Sequence, residues 1–140
     1  MWRPALRLHV HTAVTLLLVH ALLPRLGVER TLRLAVFLGD RAPQPPQTWE
    51  RTVRAVRRAA RHLAPRTACL AQSITLLGVL TAQRTNPDLV LGCRLTADGW
   101  MAHAWVDCDG QRLEPVVGGS ELELARYRRV DGWRPFSRTI

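Results

Sequence analysis

The chain contains no lysine. Its twenty basic residues are all arginine, they outnumber eleven acidic residues, and the formal net charge is +9. Arginine-only usage beside frequent alanine, leucine and valine is typical of a GC-rich genome, so the charge is weaker evidence for an acidic partner than its size suggests. We therefore expect no specific nucleic-acid partner. The hydrophobic share of 47% excludes a disordered basic tail and predicts a packed core.

Cysteine is also scarce, and its spacing argues against two classes of site. The three cysteines, Cys69, Cys93 and Cys108, are odd in number and lack paired spacing, so we expect no disulfide framework and a reducing, cytoplasmic location. Neither a Cys-x-x-Cys pair nor a His-x-x-x-His pair lies beside them. We therefore expect no bound metal and no other cofactor.

A long hydrophobic run is absent too. The longest, over 13–23, has eleven residues and includes His20, whereas a membrane span needs about twenty. Pro24-Arg25-Leu26 follow it without the small-residue pattern of a signal-peptide cleavage site. We expect no transmembrane span, and the run either forms a buried helix or rests on a partner or a membrane surface.

The chain's patterns predict helices first and a sheet second. At 140 residues it fits one domain, which buries roughly two-thirds of its unfolded surface. Apolar residues recur at helical spacing over 6–38 with a break at Pro24 and Gly27, which predicts two helices. Several prolines then indicate a linker. We divide the chain into an N-terminal helical segment, 1–40, a Pro-rich linker, 41–48, and a core, 49–140.

Two further helices are predicted before the sheet. Thr48 is a candidate cap for a helix that runs from Trp49 and ends at Pro65. One face of this helix is basic, which fits either a solvated surface or a docking site for an acidic partner; it carries Arg51, Arg54, Arg58 and Arg61. The next helix begins near Cys69 and ends before Asn86-Pro87-Asp88.

The second half of the chain predicts an antiparallel meander. Three segments rich in β-formers, 89–95, 100–107 and 111–117, are separated by Ala97-Asp98-Gly99 and Asp109-Gly110. The tail is expected to hold a short helix over 121–129 and, over 133–136, a segment that covers a sheet edge. Helices followed by strands indicate an α+β fold.

Cys69 and His103 form a candidate catalytic pair. A cysteine in the first turn of a helix lies near unpaired backbone N–H groups and the positive end of the helix dipole, which favour the thiolate. A histidine on a facing strand can take the thiol proton and later deliver it to a leaving amine. The sequence therefore predicts a cysteine enzyme of the acyl-transfer or peptidase type.

The third catalytic group depends on strand register. If Asp109-Gly110 is a two-residue turn, Glu114 becomes a diagonal neighbour of His103 on the same face. A three-residue loop would instead turn Glu114 to the other face. Asp107 shares the face of His103 but lies about 13 Å along the strand, and Asp109 is in the turn. Glu114 is thus our candidate, with Asp107 and Asp109 as alternatives.

Three segments in this order resemble the transglutaminase-like leader peptidases of lasso-peptide biosynthesis. They span about half of the chain, from Cys69 to Glu114, and are Cys69-Leu70-Ala71-Gln72-Ser73-Ile74-Thr75-Leu76, Leu91-Gly92-Cys93-Arg94 and Ala102-His103-Ala104-Trp105-Val106-Asp107-Cys108-Asp109-Gly110. The resemblance implies a papain/transglutaminase-like core, with the nucleophile at the N-terminus of a helix packed on an antiparallel sheet. It also implies removal of the leader from a ribosomally made precursor, with water resolving the thioester.

The same resemblance implies partners. These are the leader region of the precursor peptide, a small leader-recognition protein and an ATP-dependent, asparagine-synthetase-like cyclase that closes the macrolactam ring. Since residues 1–48 look helical and a fused recognition module would need strands, we expect a separate recognition protein. Two rival functions remain: an acyltransferase that uses an amine acceptor, and a non-enzymatic basic adaptor for an acidic peptide or nucleic acid.

Overall fold

The computed structural model describes residues 3–64, 69–113 and 121–136. Within them, three helices precede a five-stranded antiparallel sheet, which confirms the predicted α+β class. The helices are α1 (Pro4–Arg41), α2 (Trp49–Leu63) and α3 (Cys69–Ala82). The strands are β1 (Pro87–Thr96), β2 (Gly99–Cys108), β3 (Gln111–Arg112), β4 (Glu121–Tyr127) and β5 (Pro135–Phe136), with a 3-10 turn at Arg129–Asp131. Their order across the sheet is β3-β2-β1-β4-β5.

α1 is broken into two helical halves, as the sequence predicts. The break is at Gly27, whose φ of 81° and ψ of 177° are not helical and suit a residue without a Cβ. By length and composition α1 could cross a membrane, a test that buried helices of soluble proteins also pass. The division of the chain at residues 40 and 48 stays a prediction.

Two glycines bring α1 close to α3, against which it mainly packs. A Cβ on Gly39 would lie 2.5 Å from the carbonyl oxygen of Gly78, and a Cβ on Gly78 would lie 3.0 Å from that of Ala35. Any larger residue would therefore push the helices apart. The close approach joins the N-terminal helix to the helix that begins at Cys69.

α2 begins at its predicted cap, where the Thr48 hydroxyl accepts a hydrogen bond from the Arg51 amide at 3.3 Å. Its apolar side packs into the domain, and its arginines face solvent. The linker before it is held by the end of α3: the Gln44 amide donates to the Ala82 carbonyl at 2.8 Å. Buried Gln83 bonds both Gln47 and Thr52, so the linker has a defined path.

One face of the sheet packs on the helices. The core joins side chains from every layer, namely Val19, Leu32, Ala35 and Val36 of α1, Val53 and Val56 of α2, Ile74, Leu77 and Leu80 of α3, and Leu89, Val106 and Tyr127 of the sheet. α3 is the most enclosed element, since eleven of its fourteen residues are buried. It therefore lies between the sheet and α1.

The tail contains one correction. Residues 121–129 do not form a helix: β4 pairs along β1, and only the 3-10 turn after it is helical. Glu121 and Glu123 alternate with Leu122 and Leu124, and both carboxylates bind arginines on the outer face of the sheet. These tertiary ion pairs select the strand. Residues 135 and 136 pair with β4 as β5, so the expectation that 133–136 covers a sheet edge is confirmed.

Arg126 ties three strands together on the face of the sheet away from the helices. Its guanidinium lies 2.8 Å from Asp88 of β1, 2.8 Å from Asp107 of β2 and 2.7 Å from Glu123 of its own strand. These hydrogen bonds, first of all the one to Glu123, raise the pKa of Arg126. The three partners remain 19% to 24% exposed, which limits the stabilisation through solvent screening.

We expect Arg126→Met to lower the free energy of unfolding by about 2 kcal/mol, because three neighbouring carboxylates lose their shared partner. The matched control is Arg129→Met. Arg129 pairs with Asp40 at 3.1 Å, but both side chains are more than two-fifths exposed, so its loss should cost at most about 0.5 kcal/mol. Urea unfolding of both variants measures the difference, and equal losses would contradict this role of Arg126.

Candidate functional site

Cys69 is the first residue of α3 and the one exposed cysteine of the three. Backbone N–H groups in the first turn of a helix have no intrahelical acceptor, and no acidic residue lies in this turn. These N–H groups can donate to a negatively charged atom placed beside them. Cys93 is half-buried on β1, and burial raises the pKa of the Cys108 thiol. Among the cysteines, Cys69 alone combines exposure with a helix N-terminus.

A buried hydroxyl fastens the start of α3 to β2. Ser73 lies one helical turn after Cys69, and its Oγ donates to the carbonyl oxygen of Ala104 at 3.2 Å. Residues four apart lie on the same side of a helix. Cys69 and Ser73 accordingly line one small cavity of about 80 Å³, together with Ala104, Trp105 and Leu113. The N-terminal turn region of α3 is thus held at Ala104, the residue next to His103.

The hairpin register explains why the Ala104 carbonyl is available to Ser73. β2 pairs with β3 as Asp107 with Arg112, and the Leu113 amide donates to the Val106 carbonyl at 2.9 Å. The same register continued by two residues would require a donor at position 115. The sequence has proline there, which has no N–H. Pro115 itself lies outside the described residues. Within them, the hydrogen bond to the Ala104 carbonyl comes from Ser73.

His103 lies on β2 opposite Gly92 of β1. Its ring is 5.7 Å from that of Trp105, and its Nε2 is 2.8 Å from Nη2 of Arg94. A guanidinium can only donate, so Nε2 accepts in this contact and the neutral ring carries its proton on Nδ1. The contact with Arg94 therefore indicates the tautomer of His103.

Gly92 makes room for the rings around His103. A Cβ at Gly92 would lie 2.3 Å from the carbonyl oxygen of Leu122 and 2.9 Å from two ring atoms of Trp105. Any other residue would therefore displace Trp105 or separate β1 from β4. The Gly92 position in the Leu91-Gly92-Cys93-Arg94 motif is explained by this close approach.

Arg94 and Glu121 extend the polar network that begins at His103. Arg94 Nε donates to a Glu121 oxygen at 3.2 Å, and Arg112 binds the other oxygen of the same carboxylate. The hydrogen bond from Arg112 holds the pKa of Glu121 below its usual value, and nearby positive groups act in the same direction. The Arg112 guanidinium also lies 4.2 Å from the Trp105 ring centre. The sequence analysis assigned no role to Ser73, Arg94 or Glu121, although the alternation at 121–124 could have indicated a strand.

The two candidate catalytic side chains belong to neighbouring elements, with the imidazole on the face of β2 away from α3. Ala104 and Val106 face α3, as their burial in the helix-side packing shows. Successive strand residues point to opposite faces, so His103, Trp105 and Asp107 lie on the face of Arg94 and Arg126. The pairing of Cys69 with His103 as nucleophile and base stays a prediction.

The candidate third group, Glu114, lies outside the described residues. The premise of its assignment is confirmed, because Asp109-Gly110 forms a two-residue turn between Cys108 and Gln111. Both turn residues have positive φ, 53° and 78°, as a type I′ turn requires. Asp107 binds Arg126, and Asp109 is exposed in the turn. The choice among these three carboxylates stays a prediction.

In 3–64, 69–113 and 121–136 no three histidine, cysteine or acidic side chains come together as a metal site.

A model of the transglutaminase-like superfamily matches residues 11–131. This match begins within α1, ends in the 3-10 turn and includes both Cys69 and His103. No curated protein and no solved structure matches the chain.

We expect Ser73→Ala to lower the free energy of unfolding by about 1 to 2 kcal/mol, because the buried Ala104 carbonyl loses its donor. Thr75→Val is the matched control. The Thr75 hydroxyl donates to Ala71 of its own helix at 2.8 Å, and that carbonyl keeps its helical hydrogen bond, so the loss should be about 0.5 kcal/mol or less. Urea unfolding distinguishes them; a smaller loss for Ser73→Ala than for Thr75→Val would contradict the fastening role.

Proposed function

Because the chain belongs to the transglutaminase-like superfamily, we propose that it is a cysteine peptidase that removes the leader from a ribosomally made lasso-peptide precursor. The observation that supports this most is the position of Cys69. It is exposed at the N-terminus of α3, and Ser73 of the same helix binds the strand residue that follows His103. The superfamily supplies cysteine chemistry, and the motifs around both residues resemble the leader peptidases.

In the proposed reaction, the Cys69 thiolate attacks the carbonyl carbon of the last leader residue. The backbone amide of Cys69 helps to hold the oxyanion. The carbon–nitrogen bond then breaks, and His103 delivers the proton taken from the thiol to the departing amine. Water finally hydrolyses the thioester, which releases the leader with a free carboxylate and restores the thiol.

His103 must exchange one partner for this reaction. Its Nε2 is bonded to Arg94, and an imidazole that receives a proton from Cys69 on this nitrogen has to give up that contact. Arg94 keeps a second partner in Glu121, so the guanidinium remains paired when the imidazole leaves. Glu114 is the proposed group that orients the ring in its active position.

The proposed partners are the precursor leader, a separate leader-recognition protein and an asparagine-synthetase-like cyclase. These assignments come from the resemblance of the motifs. We place the reaction in the cytoplasm, which agrees with the three cysteines being free thiols. The amine-accepting acyltransferase is the second candidate, because the superfamily chemistry forms the same thioester and differs only in what resolves it.

We expect Cys69→Ala to reduce precursor cleavage below about a thousandth of the wild-type rate in a reconstituted assay, since the nucleophile is lost. Cys93→Ala, at a half-buried thiol on β1, is the control and should retain cleavage. Product mass is recorded with and without an added primary amine. A leader with a free carboxylate supports the peptidase, whereas a leader–amine adduct supports the acyltransferase.

Thiol labelling, together with the cleavage assay, distinguishes the peptidase from the non-enzymatic basic adaptor. Iodoacetamide at neutral pH should label Cys69 before Cys93 and Cys108, because the thiolate is the reacting form. Retained cleavage by Cys69→Ala would exclude the proposed mechanism. Unreactive thiols together with a steep salt-dependent affinity for random DNA would favour a basic adaptor instead.

We expect Glu114→Gln to lower turnover by roughly tenfold to a hundredfold or more, because a group that orients the catalytic histidine is lost. Asp107→Asn is the comparison. Asp107 is bound by Arg126, so its substitution should affect stability more than turnover. Steady-state rates at a temperature where both variants are folded provide the measurement. A larger loss of turnover for Asp107→Asn would assign the orienting role to that residue.

A further inference from the structure

The first half of α1 exposes an apolar stripe. Leu6, Val10, Val14 and Leu17 are 48%, 42%, 49% and 47% exposed. Their spacings of four, four and three residues place them on one side of a helix, and the stripe is named here by these four residues. Isolated exposed apolar residues are ordinary, but a continuous row of them marks an interaction surface.

The buried contacts of this helical half lie on the side opposite the stripe. The opposite side of the same helical half already packs in the domain through Leu8, Thr12, Thr15, Leu16 and Val19, all nearly or fully buried. Leu8 packs with Ala55 of α2 and Val79 of α3. This half of α1 is therefore apolar on two sides, and the fold uses one of them.

The charged residues of the first half of α1 all have one sign. The first 28 residues contain arginines but no aspartate or glutamate; the first acidic residue is Glu29. On one flank, Ala5, Leu8 and His9 of α1 line a cavity of about 160 Å³ with three exposed arginines of α2, namely Arg51, Arg54 and Arg58. In the described chain these three arginines form no ion pair. A basic row thus runs beside the apolar stripe.

A groove opens along the other flank of the stripe. Val10 and Val14 line a cavity of about 410 Å³ with Arg7, His11, Leu38 and Gln44. The Nε2 atom of His11 and the Oε1 atom of Gln44 are buried there without a hydrogen-bond partner in the described chain. Burial lowers the pKa of His11, which favours its neutral form. The groove therefore combines apolar walls, a cation and polar atoms without partners.

We propose that the apolar stripe of α1 and the basic row of α2 together dock on an anionic lipid surface. Apolar side chains enter the acyl boundary of a bilayer while arginines bind the phosphates, which is the chemistry of a helix that lies in the interface. α1 lies on the membrane and does not cross it. Crossing would remove Leu8, Leu16 and Val19 from the domain, where they are buried.

The test is co-sedimentation of the full chain with vesicles, one set of phosphatidylcholine and one with about a third phosphatidylglycerol. The wild type should bind the anionic vesicles and not the neutral ones. Val14→Glu/Leu17→Glu should weaken binding at least about tenfold, because two apolar side chains that would enter the bilayer are replaced by charged ones. The control is Leu95→Glu/Val130→Glu, which makes the same charge change at two side chains that are exposed elsewhere, by 48% and 79%. It should bind within about threefold of wild type if charges this far from the stripe are screened by salt.

A neutral variant and an arginine variant complete the test. Val14→Gln/Leu17→Gln removes the apolar contact without adding charge and should also weaken binding. Arg51→Gln/Arg54→Gln/Arg58→Gln should reduce the selectivity for anionic vesicles and the salt dependence of binding. Circular dichroism checks that each variant is folded, and the substituted side chains are exposed in the fold.

Three results would overturn the proposal. The first is equal loss for the stripe pair and the control pair, because it would mean that net charge alone acts. The second is a concentration-dependent dimer that the stripe variants dissociate, since a second copy of the chain would then cover the stripe. The third is binding of random DNA as tight as vesicle binding and unchanged by the stripe variants, which would assign the basic row to nucleic acid.

Discussion

The contact between α3 and β2 is the constraint on which the rest of the structure depends. α3 is enclosed by the sheet on one side and by α1 on the other, so its axis has little freedom. Gly39 and Gly78 fix its distance from α1 at near van der Waals contact, and Ser73 fixes its start against Ala104. The exposed Cys69 is therefore the first residue of a buried and closely packed helix, an arrangement that fixes the position of a side chain without burying it.

The two faces of the sheet are stabilised by different interactions. Toward the helices, Leu89, Val106 and Tyr127 form part of one apolar core. On the other face, arginines bind carboxylates from neighbouring strands, in two groups centred on Arg126 and on Glu121. His103 belongs to the second group through Arg94. Its position is thus set by an ionic network, whereas that of Cys69 is set by packing. Catalysis by this pair would require the imidazole of His103 and the thiol of Cys69 to meet at the edge of β2.

Sequence reasoning succeeded where the signal is local. The break in α1, the Thr48 cap and the two-residue turn at Asp109-Gly110 each depend on a few adjacent residues whose backbone preferences are strong. It failed at β4, because glutamate, leucine, alanine and arginine all favour a helix locally, and the strand is selected by contacts with distant residues. There the outcome depends on Arg94 of β1, 27 positions earlier in the chain.

The same distinction applies to the candidate site. The motif containing Cys69 and the helix that follows it could be predicted, because a helix start has a sequence signature. The hydrogen bond from Ser73 to Ala104 could not, since it spans 31 residues and requires the strand register to be known. Nor could the partner of His103 be predicted, since the contact with Arg94 requires the register that places Gly92 of β1 opposite His103.

The arginine-only composition has two different consequences in the fold. On the sheet, Arg94, Arg112 and Arg126 are neutralised by Glu121, Asp88, Asp107 and Glu123, and they act as structural cross-links. On α2, the arginines face solvent without ion pairs within the described chain. They lie beside the first half of α1, and residues 1–28 contain no acidic residue. The positive charge that remains for a partner is therefore concentrated at the helical end of the domain. A partner that carries anionic groups above an apolar layer matches both properties of that surface, and the net charge of +9 becomes informative only once its distribution is known.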